Sequence, residues 1–305
     1  MIKHQLALVR RELWEHRSIF VTPIAIGSIV TLGVLAMLVF ASGFAAELDI
    51  AIFGAQNLAG DPERKAALTG FFLGTSWIFM MALAILTVFY CLDSLYAERK
   101  DKSILFWRSL PVTDAETIIS KLIVAIIVIP VITAIGIIGT HIINLIVTSI
   151  WVSMKGGDGG MLIWGSVAFL DNWLAAFIVV VASGIWMSPF IGWFLLVSAY
   201  TKRSPLLMAF MPLFLIGLLE GIILRTHVFA ENVLGRGDGL PLFHTVNIEK
   251  FFNEEQWRIS EDATNLLAHL DVVQFLTSPA MWAGIVVCAL LSIGAIYVRR
   301  YRDES

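Results

Sequence analysis

Residues 122–154 read LIVAIIVIPVITAIGIIGTHIINLIVTSIWVSM, 33 residues without an Asp, Glu, Lys or Arg. A helix needs about 20 apolar residues, at 1.5 Å rise each, to cross a hydrocarbon layer of about 30 Å. In lipid the backbone must satisfy its own hydrogen bonds, and a continuous apolar run lacks the in-and-out alternation of a barrel strand, so the run predicts a membrane helix. Charge-free runs of the same kind occupy 18–46, 66–92, 172–201 and 272–298, and 204–224 carries the single charge Glu220. Six spans follow, at about 18–42, 69–92, 122–150, 173–200, 204–224 and 277–298. Composition agrees: of 305 residues 58% are apolar or aromatic and 15% charged, against about 45–50% and about 25% in soluble domains. The mean hydropathy is +0.83. The expected fold class is an all-α polytopic membrane protein, one transmembrane domain over 1–305 embedded in a lipid bilayer.

Lys and Arg near the span ends set the orientation. With a cytoplasmic N-terminus, 14 of them fall inside and 7 outside, which predicts a multi-pass protein of the plasma membrane with both ends in the cytoplasm. The first apolar run, at about 25 residues, is longer than the about 7–15 of a secretory signal, so it is expected to stay as a span. No basic stripe with interleaved aromatics points to nucleic acid. Cys91 and Cys288 lie in apolar runs and read as packed thiols. A P-loop, H-E-x-x-H, C-x-x-C and G-x-S-x-G are all missing from the sequence, so no metal, cofactor or catalytic set is assigned to this chain.

Between the spans, three segments carry pattern. Ile2, Leu6, Val9 and Leu13 fall on one helical face, with Arg10, Arg11, Glu12 and Glu15 elsewhere on the wheel, so 2–16 is expected as a helix lying along the interface. In the loop after the second span, Glu98-Arg99-Lys100-Asp101-Lys102 precedes Ser103-Ile104-Leu105-Phe106-Trp107-Arg108-Ser109-Leu110-Pro111. Ser103 as N-cap and Pro111 as stop predict a short helix at about 103–110, whose aromatic and aliphatic side chains need a groove or a membrane surface to cover them. Thr113 or Asp114 then caps the helix that enters the third span. The third segment, 225–276 between spans five and six, is long; its later part is expected to form short helices.

Within the spans the ionisable and amide groups are few: Glu220, His141 and Asn144. Helical rise puts Glu220 and His141 at similar depth, and such groups inside a membrane are expensive. They are the candidates for a polar pathway; the alternative for Glu220 is a structural one, snorkelling to headgroups or pairing with Arg225.

Six spans, an interfacial leader, an aromatic helix between spans two and three and a long outer loop together resemble the permease subunit of a type-2 ATP-binding-cassette exporter. The local match lies in Glu98-Arg99, Ser103, Leu105-Phe106-Trp107-Arg108-Ser109-Leu110-Pro111-Val112 and Ser120-Lys121. The resemblance implies that 103–110 is a coupling helix docking on a separate ATPase, with Glu98, Arg99, Ser103, Leu105, Phe106, Trp107, Arg108 and Leu110 as its coupling residues. It also implies a non-catalytic permease whose partner ATPase binds ATP and Mg, a unit of two permease copies (a homodimer) with two ATPases, and a pathway opening between the first, second and fifth spans. An amphipathic peptide, lipid-like molecule or drug is the expected cargo. The alternative function is a non-transporting membrane scaffold or immunity protein.

Overall fold

Among the described residues six helical stretches are long and apolar enough to cross a bilayer, the number expected from the charge-free runs. The computed structural model describes residues 2–40, 62–103, 112–165, 169–237, 240–242, 252–253, 258–259 and 266–301. The helices are α1 (Ile2–Glu15), α2 (Ser18–Phe40), α3 (Pro62–Ser94), α4 (Tyr96–Lys100), α5 (Asp114–Ile123), α6 (Ile129–Met154), α7 (Phe169–Trp186), α8 (Ser188–Tyr200), α9 (Pro205–Leu219), α10 (Val272–Thr277) and α11 (Pro279–Tyr301). Among the described residues the only extended pairing is Phe252–Asn253 against Arg258–Ile259, and the protein is an all-α polytopic membrane protein. The start of α1 and the end of α11 both pack beside α5, so one end of the bundle, here the terminal face, carries both.

Prolines and glycines explain where the helices depart from regularity. A five-residue π turn, Val124–Val128, joins α5 to α6 directly before Pro130. Pro130 has no N–H and its ring presses on the carbonyl of Ile126; widening the helix there relieves the clash. Helix α7 approaches at that point through Gly184, where a Cβ would lie 2.5 Å from the Ile126 carbonyl oxygen and 2.9 Å from Pro130 Cγ. The run 173–200, expected as one span, is two helices that meet at Met187, because Pro189 occupies the first turn of α8 and cannot continue the ladder of α7. At the start of α5, Thr113 is the cap and Asp114 the first helical residue: the Thr113 hydroxyl accepts from Glu116 N–H, and the Glu116 carboxylate accepts from Thr113 N–H.

The largest apolar cluster, including Ile19, Phe79, Tyr90, Ile118, Ile129, Leu195 and Ala295, joins α2, α3, α5, α6, α8 and α11. Helices α8 and α11 also pack closely, since a Cβ on Gly192 would meet Cys288 Cα and O at 3.0 Å. Both cysteines are buried and free. Two spans stand apart: 11% of the apolar stretch of α2 and of α9 is buried inside the chain, against 44% for α3. The segment after α9 folds back onto α7, with Leu242 buried, Leu267 N–H donating to Asp171 and Asp271 N–H donating to the Leu242 carbonyl. The short helix α10 falls where the later part of that segment was expected to be helical.

The face of α1 differs from the expectation. Val9 and Leu13 do pack on the core, but Leu6 points away from it, and the buried stripe is Leu8 and Glu12 with Gln5 beside them. A carboxylate occupies the inward side because a buried lysine waits there.

Candidate functional site

The terminal face is built around Lys121, a fully buried ammonium (0% exposed) one turn below the π turn. Its Nζ lies 2.9 Å from both carboxylate oxygens of Glu12 on α1 and 3.0 Å from Oε1 of Glu98 on α4. Glu98 also takes Arg11 of α1 at 2.8 Å and Arg299 of α11 at 2.6 Å, and Arg299 reaches Asp114 of α5 at 2.8 Å. The Tyr90 hydroxyl of α3 donates to Glu12 at 3.1 Å, and Arg11 pairs with Glu15 at 3.0 Å. Three cations therefore face the carboxylates of Glu12, Glu98 and Asp114, and the knot is neutral without counting the rim residue Glu15. Burying charge is costly unless each group is paired and hydrogen-bonded; here each is. Burial opposes the Arg11 charge, but Glu12, Glu15 and Glu98 outweigh it and hold its pKa above the ordinary value. Next to the knot, His16 packs edge-on to Tyr90 at 4.9 Å. Burial, with Lys121 adding to it, keeps the His16 imidazole below its usual 6.5 against the opposing pull of Glu12, Asp93 and Glu15.

A second set of bonds fastens α4 to α8. The Ser198 hydroxyl accepts from the N–H groups of Leu95 and Tyr96 and donates to the Leu92 carbonyl. These are orphan groups at the α3–α4 break, and one hydroxyl serves all three. In return Arg99 donates to the carbonyls of Ser198 and Thr201 at 2.5 and 2.7 Å, closing the C-terminus of α8. Beyond α4 the chain turns through Lys102 in the left-handed region (φ 57°), and the Ser103 hydroxyl bonds back to the Glu98 carbonyl.

Of the expected coupling residues, Glu98, Arg99 and Ser103 are thus brought together at the start of the 103–110 segment. Leu105, Phe106, Trp107, Arg108 and Leu110 lie outside the described residues. The segment is fastened on both sides, by Glu98 and Arg99 before it and by Asp114 and Lys121 after it. Hydropathy missed Glu12, Asp114 and Arg299, the groups that complete the knot, because it treats a charge on an amphipathic helix as solvent-facing. The sequence signal that could have found Lys121 is its place at the mouth of a 33-residue charge-free run.

The pathway candidates do not converge. His141 lies 4.4 Å from the ring of Phe72 and 6.2 Å from that of Phe71 on α3, 1% exposed, with neither ring nitrogen at hydrogen-bonding geometry to a partner. Asn144, one turn along α6, donates to Thr31 of α2 and to the Thr140 carbonyl, while its Oδ1 accepts nothing. Glu220 is elsewhere: its carboxylate accepts from the Thr226 hydroxyl and the N–H groups of Phe229 and Ala230. It caps the turn after α9, and none of these bonds goes to Arg225 or to α6.

A family model described as ABC-2 family transporter protein matches residues 66–233, more than half of the chain. The chain belongs to the ABC-2 transporter family. It is an integral membrane permease of an ABC-type transporter, and membership implies a partner ATP-binding subunit. No curated protein and no solved structure matches the chain. The ABC-2 match contains Glu98, Asp114 and Lys121 and the whole of 103–110, whereas Arg11, Glu12 and Arg299 lie outside it. In this ABC-2 permease the knot is therefore completed by helices from both ends of the chain.

Proposed function

We propose that this permease belongs to an exporter in which a separate ATPase binds ATP and Mg, is closed by ATP and through that motion moves 103–110, while this chain does no catalysis. Support comes from the fastening of that segment: α4 before it and α5 after it meet in one buried knot that also holds α1 and α11. Displacing 103–110 then moves four helices as a unit, because separating any of them would strand a buried charge. Pairing of two copies is supported by α2 and α9, whose apolar faces the chain itself does not cover; two ATPases complete the unit. An amphipathic cargo suits spans this poor in charge. The plasma membrane, with the terminal face toward the cytoplasm, accords with the 14-to-7 distribution of Lys and Arg.

The observation that carries this function is the family match together with the two-sided fastening of 103–110. Replacing Phe106 and Trp107 together by Glu is expected to abolish co-purification with the candidate ATPase while the variant chain unfolds at the wild-type temperature. A complex that survives these changes contradicts docking through this segment.

A further inference from the structure

A groove of about 480 Å3 lies between the start of α2 and the last three turns of α3, lined by His16, Ser18 and Thr22 on one side and by Ala82, Ile85, Leu86, Phe89, Tyr90 and Asp93 on the other. It falls within the about 300–1,000 Å3 typical of small-molecule sites. Its chemistry is graded along one axis. Ala82, Ile85, Leu86 and Phe89 follow the i, i+3, i+4, i+7 spacing of one helix face and make an apolar wall, and Ile85 and Phe89 are exposed within the chain. Four residues past Phe89, on the same face, Asp93 ends the wall with a carboxylate; Tyr90 and His16 flank it, and the Ser18 and Thr22 hydroxyls line the opposite side. From Ala82 to Asp93 the helix rises about 16 Å. No lysine or arginine lines the groove, and among the described residues Asp93 has no ion pair, although the knot nearby pairs its carboxylates closely.

We propose that this groove binds an ammonium-bearing amphiphile, Asp93 taking the cationic head and the Ala82–Phe89 wall the hydrocarbon. Asp93 is exposed and so open to an approaching head group: an anionic amphiphile would be repelled by the carboxylate, a neutral one would gain no charged hydrogen bond from it, and a cation gains both that bond and the neighbouring exposed ring of Phe89. The site names the cargo class for the export function proposed above and rests on that function only for the word cargo; occupancy itself requires neither ATPase nor transport. The head group has two sources, a resident aminophospholipid or a free long-chain amine.

The test uses the purified chain in phosphatidylglycerol nanodiscs and a dodecylamine carrying a diazirine, with the labelled peptides mapped by mass spectrometry. Label is expected on 18–22 and 82–93, displaced by dodecylamine and not by dodecanol or dodecyl sulfate. Asp93→Asn is expected to weaken labelling about tenfold or more, the worth of one charged hydrogen bond, while Asp93→Glu retains it. Ala82→Trp, which fills the apolar end, should lose label with Asp93 intact. Displacement by phosphatidylethanolamine added to the disc assigns the site to a lipid head group, and its failure to displace assigns it to a free amine; either supports the site. Equal displacement by dodecanol, or undiminished labelling of Asp93→Asn, overturns it. Because no ATPase is present, that failure leaves the permease function standing, and loss of ATPase docking leaves the groove standing.

Discussion

Lys121 meets three carboxylate oxygens within 3.0 Å, whereas His141, twenty residues further along the same helical run and about 30 Å away by helical rise, meets no partner with either ring nitrogen. Both side chains are buried. The first is the centre of a cluster assembled from five helices, α1, α3, α4, α5 and α11; the second, on α6, is held against the aromatic rings of Phe71 and Phe72 on α3. Polar burial thus serves two ends in one chain. In the knot, complementary charge selects which helices meet and in what register. At the His141 seam, packing against Phe72 selects the arrangement and the polar atoms are carried along at a cost.

Removing one partner from the knot should have the largest effect. Lys121→Met leaves Arg11 and Arg299 alone against the buried carboxylates of Glu12, Glu98 and Asp114, one negative charge uncompensated, and unfolding is expected to become easier by about 3–5 kcal/mol, read as a lowered thermal midpoint in detergent. Adding Glu12→Gln should return part of that loss. A Lys121→Met chain as stable as wild type would mean that water reaches the cluster. The opposite result is expected at the seam: His141→Leu removes orphan polar atoms and should leave stability unchanged or raise it by about 1 kcal/mol. A large loss would show that a bound group satisfies the ring, and transport lost with stability intact would put His141 in the pathway.

The smallest expected effect is one of pH. His16 borders the knot, and burial keeps its folded pKa below 6.5, so below that pH the unfolded chain binds a proton that the folded chain resists. Stability contributed by the neutral ring is fully present above pH 6.5 and is lost as the pH falls through the interval down to the folded pKa. A thermal-midpoint series from pH 7.5 to pH 5 should therefore slope downward toward acid more steeply for wild type than for His16→Gln; identical slopes would place the sensitivity elsewhere.

Much of the fold was legible because a membrane imposes a one-dimensional rule. Charge-free runs mark the spans, Thr113 with Glu116 marks the start of α5, and Pro130 marks the irregular turn. The break at Met187 escapes a hydropathy reading, which carries 173–200 straight through Pro189 as one span. The partnership of Glu12 with Lys121 was not legible either, since the two are 109 residues apart and no periodicity encodes which helices become neighbours. For the same reason the amphipathic wheel of α1 chose the wrong side: it scores Glu12 as a surface residue when a tertiary partner has made it a core one. Glu98, Arg99 and Ser103 were found through family resemblance, which carries long-range information that local pattern lacks. Glu220 was chosen for its charge, yet its oxygens are occupied by the backbone of the next turn.

Helix α9 buries a single residue of its own, Ala209, whose carbonyl accepts from the indole N–H of Trp193 on α8. The Phe210 ring of α9 also lies 5.6 Å from that of Phe194 on α8, and beyond these few attachments most of its surface is left to whatever surrounds the chain. The fifth span is hung in this way beside a pair of helices, α8 and α11, joined tightly at Gly192, so the chain sets a rigid frame next to one lightly attached member.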